Sequence, residues 1–346
     1  MASGAEINTS LGGVNEIQDR SFGRKYKTFG LPINSPMEVV SGYREILQQA
    51  KRTGSRRLVM RSLMSEDAID FSRKHKLPIE AGIPMSLVTG NEDGSAIVFI
   101  AKNNHPSPRQ GNNPREFIKH RGNGRHPIER ARGLDDSLIP TNTLKTNDAE
   151  QLFYLWERFG WNWQEIVNFI KRIQNYEKNL WFSGIRDKNS QKLIAVSNAE
   201  AIEFAGIRYI ETTEYSTDER YEGRGLCTTA VSALIAQILN DTYYNFSDDL
   251  IPVITAEFNT SSSSPAVGAS SGFVIPDFEG TDNILSYNVG IKDGEKSNEI
   301  FRDSGESDRG VPFSQLRDFA LAVLPIQNIQ TLYPIEVVKE IINLYH

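Results

Sequence analysis

The chain is poor in cysteine and has no cluster of histidines. Cys227 is the single cysteine among 346 residues, and the five histidines are scattered. One cysteine excludes an internal disulfide and is typical of a reducing compartment, so we expect a cytoplasmic location. The spacing of cysteine and histidine matches no metal-site pattern, so we expect no bound metal.

Long apolar runs and net positive charge are also lacking. No run approaches the roughly 18 apolar residues of a membrane span, and no basic-then-apolar signal segment opens the sequence. The net charge of −6 and the isoelectric point near 5.6 argue against general nucleic-acid binding. A basic stretch at residues 101–135 has Phe117 as its single aromatic residue, which weakens the case for single-stranded nucleic acid. We therefore expect neither a membrane nor a nucleic-acid partner.

Composition and hydrophobic periodicity divide the chain into five parts. The first 35 residues are rich in Gly, Ser and Asn. Two apolar runs around Asn91–Gly94 predict a hairpin, and Ser314–Leu324 and Ile335–Tyr345 predict two short helices. The predicted parts are a flexible tail at 1–35, a small α/β domain at 36–100, a basic linker or loop at 101–135, a larger α/β domain at 136–300 and a helical extension at 301–346.

The most informative feature is a strand, a glycine loop and a helix in direct succession. The strand pattern covers Ile207–Thr217, the loop is Tyr221-Glu-Gly-Arg-Gly-Leu226, and apolar residues at helical spacing follow from residue 227 to residue 241. Gly223 and Gly225 allow several backbone N–H groups to point toward one position, next to the positive end of the helix dipole. This arrangement predicts an anion site suited to a pyrophosphate.

The loop does not match two common phosphate-binding motifs. It lacks the Gly-Lys-Ser/Thr of a Walker loop, and it lacks the third glycine of a dinucleotide fingerprint. A second strand, Pro252–Phe258, follows instead, and then a Ser/Ala-rich segment that ends at Gly272-Phe273 and a further strand at Ile284–Ile291.

This order of elements resembles the GNAT superfamily of acyl-CoA-dependent N-acyltransferases. Three central segments, Ala195–Phe204, Glu211–Thr217 and Tyr221–Leu226, are similar to the central block of the β-lysine N-acetyltransferases. Phe71–Pro84 resembles the N-terminal domain of the same enzymes. The remaining matches are Gly90–Gly94, Ile97–Ile100, Leu285–Asn288 and Ile291.

The resemblance implies a mixed, mostly antiparallel sheet with flanking helices, and acetyl-CoA as the co-substrate. It implies that the strand before the loop separates from its neighbour to admit the thioester, with oxyanion donors in the backbone near Ser216 and Thr217. The residues that it implies for coenzyme binding are Ser216, Thr217, Gly223, Arg224, Gly225 and Leu226. Asn259, at the end of a predicted strand, is either a helix cap or a further coenzyme contact. The basic stretch at 101–135 is either a solvated loop or a contact for the 3′-phosphate of the coenzyme or for an anionic partner.

Glu211 and Glu214 are the candidate catalytic acids of the strand before the loop. Strand alternation predicts that they lie on opposite faces. Each is a candidate to take a proton from the substrate amine or to bind a cationic substrate, and a solvated strand position is the alternative. Tyr287 and Tyr215 are both candidates to protonate the departing thiolate, although tyrosines on strands more often pack in the core with a hydrogen-bonded hydroxyl.

The chain departs from the family pattern at several positions. Gly268 stands where many superfamily members have a tyrosine acid, and Glu222 stands where a basic residue or glutamine is usual. Two functions therefore stay open. One is an N-acetyltransferase that acts on a small diamino acid or related small-molecule amine. The other is a non-catalytic acyl-CoA-binding or interaction protein, and a homodimer is compatible with either.

Overall fold

The computed structural model of the protein describes most of the chain in nine stretches. These are residues 15–19, 25–29, 32–53, 57–103, 126–157, 161–245, 249–259, 264–289 and 315–345. The predicted basic linker therefore lies largely outside the described residues.

The described residues form strands and helices in mixed order. The strands are β1 (Asn15–Asp19), β2 (Lys25–Phe29), β3 (Arg57–Met64), β4 (Ile79–Pro84), β5 (Ala96–Asn103), β6 (Leu138–Thr141), β7 (Leu180–Asp187), β8 (Leu193–Phe204), β9 (Ile207–Thr217), β10 (Ile251–Asn259), β11 (Ile284–Val289) and β12 (Gln315–Val323). The helices are α1 (Pro36–Thr53), α2 (Glu66–Lys74), α3 (Met85–Thr89), α4 (Pro127–Arg132), α5 (Ala149–Trp156), α6 (Trp163–Gln174), α7 (Leu226–Leu239), α8 (Ser264–Ser270), α9 (Ile326–Leu332) and α10 (Ile335–Tyr345).

The strands form two sheets. A five-stranded sheet has the order β1-β2-β3-β5-β4, and a seven-stranded sheet has the order β11-β12-β10-β9-β8-β7-β6. Of the six strand pairs described in the larger sheet, only β9 with β10 is parallel. The predicted mixed, mostly antiparallel α/β fold is confirmed.

The larger sheet is covered on both faces. On one face, Phe182 and Val196 pack against α5 and α6, and Tyr209 packs against residues of the smaller sheet. On the other face, Ile210 and Ile254 pack against α7 and α10. The smaller sheet and the α5–α6 pair therefore share one face of the larger sheet.

The two sheets contact each other where β4 lies against the segment before β11. The Gly82 N–H donates to Asn283 Oδ1 at 2.7 Å inside the protein. A Cβ atom on Gly82 would lie 2.5 Å from the ring of Phe278, so only glycine fits there. The smaller sheet and the larger one thus share a packed core.

Three local predictions need correction, and a fourth is confirmed. Strands β1 and β2 lie within the range that we predicted as a flexible tail. The apolar run before Asn91 ends as α3 rather than as a hairpin strand, because β5 pairs with β4 instead. Ser314–Leu324, predicted as a helix, contains strand β12, so the range 301–346 is not a purely helical extension. The predicted helix at Ile335–Tyr345 is confirmed.

No helix within the described residues is long and apolar enough to cross a membrane.

Candidate active site

The glycine loop joins β9 to α7 through two left-handed residues. Gly223 and Gly225 both have φ of 75°, which side-chain-bearing residues adopt only with strain. Gly225 is the N-cap of α7, and no side chain caps the helix there. A Cβ atom on either glycine would meet no atom within 4 Å, so open space lies on this side of the loop. Gly225 precedes a 14-residue helix, and the first N–H groups of a helix have no partner within it.

A short 3-10 turn shapes the entry to the loop. Asp218 is almost fully buried and accepts hydrogen bonds from the backbone and the guanidinium of Arg220. The Arg220 side chain thereby holds the pKa of Asp218 below its usual value. Arg224 lies over the Tyr221 ring at 5.5 Å and 3.9 Å from the Asp135 carboxylate. These contacts put two guanidinium groups beside the glycine loop.

Strands β9 and β10 separate next to this loop. Their parallel pairing runs to Thr212 opposite Ala256 and then stops. Each strand continues, β9 to Thr217 and β10 to Asn259. A gap therefore opens between the two strands at the end where β9 enters the glycine loop.

A β-bulge lies in β9 beside the gap. Val196 pairs with Ser216 and Asn198 pairs with Thr213, so β9 has one residue more than β8 over this interval. Glu214 takes up the extra residue with φ of 51°. An extra residue reverses the alternation of side chains beyond it.

The bulge places Glu211 and Glu214 on the same face, so the prediction of opposite faces is wrong. Glu211 contacts Arg61 of the smaller sheet, and Glu214 contacts Trp161 between α5 and α6. Tyr215 points to the opposite face, where its ring packs against Phe258.

The Glu214 carboxylate accepts hydrogen bonds from several side chains. Oε1 accepts from Trp161 Nε1 at 3.3 Å, and Oε2 accepts from Asn198 Nδ2 at 2.7 Å. Thr213 Oγ1 also donates to this carboxylate. Trp156 Nε1 donates to the backbone carbonyl of Glu214 at 3.1 Å, which fixes the bulge itself. Trp161, Asn198 and Thr213 thus hold the carboxylate at the edge of the gap.

The Glu211 carboxylate has a charged neighbour. Arg61 Nη1 lies 3.4 Å from Glu211 Oε2, and Arg61 Nη2 lies 2.7 Å from Glu257 Oε1 of β10. Spacing in the sequence did not indicate Arg61 and Glu257, because the partners stand 150 and 196 positions apart. Asn198 and Trp161 were missed as neighbours of Glu214 for the same reason.

Tyr215 carries a hydroxyl close to the end of the parallel pairing. Its OH is hydrogen-bonded to Thr212 Oγ1, and Thr212 Oγ1 donates to the Thr255 carbonyl at 2.8 Å. Burial raises the pKa of Tyr215 well above its usual value. The hydroxyl therefore keeps its proton through neutral pH.

The other predicted residues lie at various distances from the gap. Ser216 is buried and donates to the Leu155 carbonyl at 2.9 Å, while Thr217 ends β9. Tyr287 lies on β11, and β12 and β10 stand between it and β9. Asn259 ends β10 opposite Phe319. The side chains of Tyr287 and Asn259 lie outside the described part of the structure.

Among the described residues, no group of three or more His, Cys, Asp or Glu side chains is arranged to hold a metal ion.

Comparison with known proteins finds similarity in structure but not in sequence. No protein-family model matches this chain. No curated protein sequence matches it either.

Several solved structures are similar to parts of the fold. An N-acetyltransferase from Staphylococcus aureus Mu50 has 12% identity and a TM-score of 0.38, over 54% of this chain and 98% of that one. A ribosomal-protein-S5-alanine acetyltransferase from Vibrio fischeri has 17% identity and a TM-score of 0.37, over 55% and 95%. An N-acetyltransferase from Thermoplasma acidophilum, in complex with coenzyme A, has 16% identity and a TM-score of 0.32, over 42% and 94%. At TM-scores below 0.5, these similarities carry no argument about the activity of this chain.

Proposed function

We propose that the protein is an acetyl-CoA-dependent N-acetyltransferase that acts on an amine of a small diamino acid similar to β-lysine. The observation that carries this proposal is the gap between β9 and β10 beside an open, left-handed glycine loop. The loop supplies N–H donors and a helix dipole for a pyrophosphate. The gap supplies a passage for the thioester. Acidic and hydroxyl side chains lie at the edge of this passage. The resemblance of Glu211–Thr217 and Tyr221–Leu226 to the β-lysine acetyltransferases supports the same assignment.

The loop is the proposed site for the coenzyme pyrophosphate. Gly223 and Gly225 leave room for a ligand to approach the backbone. Arg224 and Arg220 add positive charge near the loop, and Leu226 begins the helix whose N–H groups face the ligand. In this proposal acetyl-CoA is a co-substrate, and the N–H groups near Ser216 and Thr217 stabilise the oxyanion.

Direct transfer needs three events at the gap. The neutral amine attacks the thioester carbonyl, the tetrahedral intermediate collapses with loss of the C–S bond, and the amine nitrogen loses a proton to solvent as the thiolate takes one. Glu214 is the proposed acceptor of the ammonium proton, because its carboxylate lies at the edge of the gap and accepts hydrogen bonds from Trp161 and Asn198. Tyr215 is the preferred proton donor to the thiolate, since its protonated hydroxyl lies beside the last paired residues. Tyr287 keeps its place as the alternative donor.

Acidic groups on one face favour a cationic acceptor. Glu211, Glu214 and Glu257 lie on the face shared with the smaller sheet, where Arg61 contacts Glu211 and Glu257. A diamino acid has a distal ammonium that such carboxylates attract. Glu211 is the proposed partner of that ammonium, while Glu214 serves the reacting amine.

A free-thiol release assay with acetyl-CoA and a panel of amines tests the proposal. Release that is highest with small diamino acids is the expected result. The alternative function is a non-catalytic acyl-CoA-binding protein, which the altered family positions such as Gly268 favour. Coenzyme A binding by calorimetry without thiol release from any amine would support that alternative. The cytoplasmic location and a homodimer remain predictions from the sequence.

A further inference from the structure

Arg61 belongs to the smaller sheet, yet its side chain reaches the larger one. The residue lies in β3 and is fully buried. Its guanidinium carbon lies 5.1 Å from the ring centres of both Phe99, on β5, and Tyr209, on β9. Two aromatic rings thus hold a planar cation in a fixed position. Burial raises the pKa of the Tyr209 hydroxyl to about 12, so this ring stays neutral.

The two carboxylates that Arg61 contacts come from the two strands that separate. Glu211 of β9 stands opposite Thr255, one position before the parallel pairing ends. Glu257 of β10 stands two positions beyond Thr255, where pairing with β9 has already stopped. Arg61 Nη1 faces Glu211 at 3.4 Å and Nη2 faces Glu257 at 2.7 Å. One guanidinium therefore links the last paired stretch of β9 to the first unpaired stretch of β10.

We propose that Arg61 is a positioning residue of the acyl-transfer site, which sets the separation of β9 and β10 and the direction of the Glu211 carboxylate. The inference rests on the proposed function, because the gap matters as the passage for the thioester. The two donor groups of a guanidinium point along separate, rigid directions, so one side chain satisfies a carboxylate on each strand. A lysine ammonium at the same position is a single point charge and does not hold both strands at a fixed distance.

A purely structural role is the alternative explanation. Buried ion pairs are often replaceable by apolar groups without loss of stability, so burial alone does not explain an arginine here. The molecule contains a second buried arginine that serves as the matched control. Arg186 of β7 makes a two-pronged contact with Asp148 at 2.6 Å, and β8 separates it from the gap. Both arginines are buried and ion-paired, but only Arg61 bridges the separated strands.

The test compares Arg61→Lys with Arg186→Lys. Calorimetry measures the affinity for coenzyme A and for a non-transferable thioether analogue of acetyl-CoA, and thiol release measures kcat. In Arg61→Lys we expect the affinity for coenzyme A to stay within about twofold, because the glycine loop is intact. We expect the analogue affinity to fall and kcat to fall by about 10- to 100-fold, as for a displaced reacting group. Arg186→Lys should lower the melting temperature. It should leave kcat unchanged, and also the ratio of the affinity for the thioether analogue to the affinity for coenzyme A (the affinity ratio).

Glu257→Gln is the second variant, in case Arg61→Lys does not fold. It keeps the shape of the side chain and weakens the bridge, so it should lower the analogue affinity and kcat in the same direction. When it is combined with Arg61→Lys, the further loss of kcat and of analogue affinity should be small, because both changes remove the same interaction. Equal effects of the Arg61 and Arg186 variants on melting temperature, kcat and affinity ratio would overturn the inference. Failure of the wild type to release thiol would instead refute the proposed function, and the affinity ratio would still test Arg61.

Discussion

Gly268 of α8 lies directly against the ring of Phe258 on β10. A Cβ atom on Gly268 would be 2.1 Å from Cζ of that ring, far inside contact distance. The ring also packs against Tyr215 at 5.8 Å and Phe273 at 5.7 Å between centres. The space that a tyrosine at position 268 would need is therefore filled by Phe258, and the Tyr215 hydroxyl is bonded to Thr212, the last residue of β9 that pairs with β10.

We expect Gly268→Ala to lower the free energy of unfolding by about 1–3 kcal/mol, the usual cost of overpacking a core. Chemical denaturation measures this change. Phe258→Leu in the same chain should recover part of the loss, because it removes the ring atoms that the new methyl group meets. Wild-type stability of Gly268→Ala would contradict the packing.

We expect Gly225→Val to weaken acetyl-CoA binding at least tenfold, or about 1.4 kcal/mol. A β-branched residue is strained at φ of 75°, and its side chain would occupy the open space beside the loop. Gly206→Val is the matched control, because Gly206 has φ of 74° and open space around it, but lies in the β8–β9 turn. If calorimetry finds equal coenzyme affinities for the two variants, the loop is not part of the binding site.

We expect Glu214→Gln to lower kcat about 10²- to 10⁴-fold, the usual contribution of a positioned base. The pH at which the rate rises should be higher in this variant, since the amine must then lose its proton to solvent. Glu203→Gln is the control, because Glu203 pairs with Arg208 near the end of β8. Steady-state kinetics across pH measure both variants, and near-normal kcat/KM in Glu214→Gln would exclude it as the base.

We expect Glu211→Gln to raise KM for a diamino acid, with a loss of about 1.5–3 kcal/mol from a charged hydrogen bond. The same variant should change KM for a monoamine of equal length much less, because that substrate has no distal ammonium. The ratio of kcat/KM for the two substrates is the measurement. An unchanged ratio would show that Glu211 does not select the acceptor.

We expect Asp218 to stabilise the fold at neutral pH and to lose this effect in acid. Its pKa is lowered in the folded protein by the Arg220 side chain, so its contribution is complete above the unfolded value of about 3.9 and disappears as pH falls through the folded value. Denaturation at pH 7 and pH 3 measures the difference. Asp218→Asn should show a smaller drop between the two pH values than the wild type, and an equal drop would refute this role.

Local pattern was sufficient for much of the fold. The bounds predicted for β9 agree with the structure, and α7 begins one residue before the predicted position, because strand and helix periodicities are strong there. Strand β12 was mistaken for a helix, since Leu, Ala and Arg favour helices and its strand form depends on distant partners in β10 and β11.

Only part of the candidate site could be predicted from the sequence. The glycine loop and the two glutamates follow from one short stretch of sequence. The common face of Glu211 and Glu214 does not, because a single bulged residue decides it. The bridge by Arg61 was equally hidden, since it depends on how the smaller sheet docks on the larger one.

The position of β12 has a consequence for synthesis of the protein. In the described sheet, β10 and β11 are joined through β12, which comes after both in the chain. Because translation proceeds from the N-terminus, β10 leaves the ribosome long before its partner along one edge exists. The unpaired edge of β10 then resembles an exposed edge strand, which recruits other chains. Nascent chains that stop before residue 315 should therefore depend on chaperones more than the complete chain does.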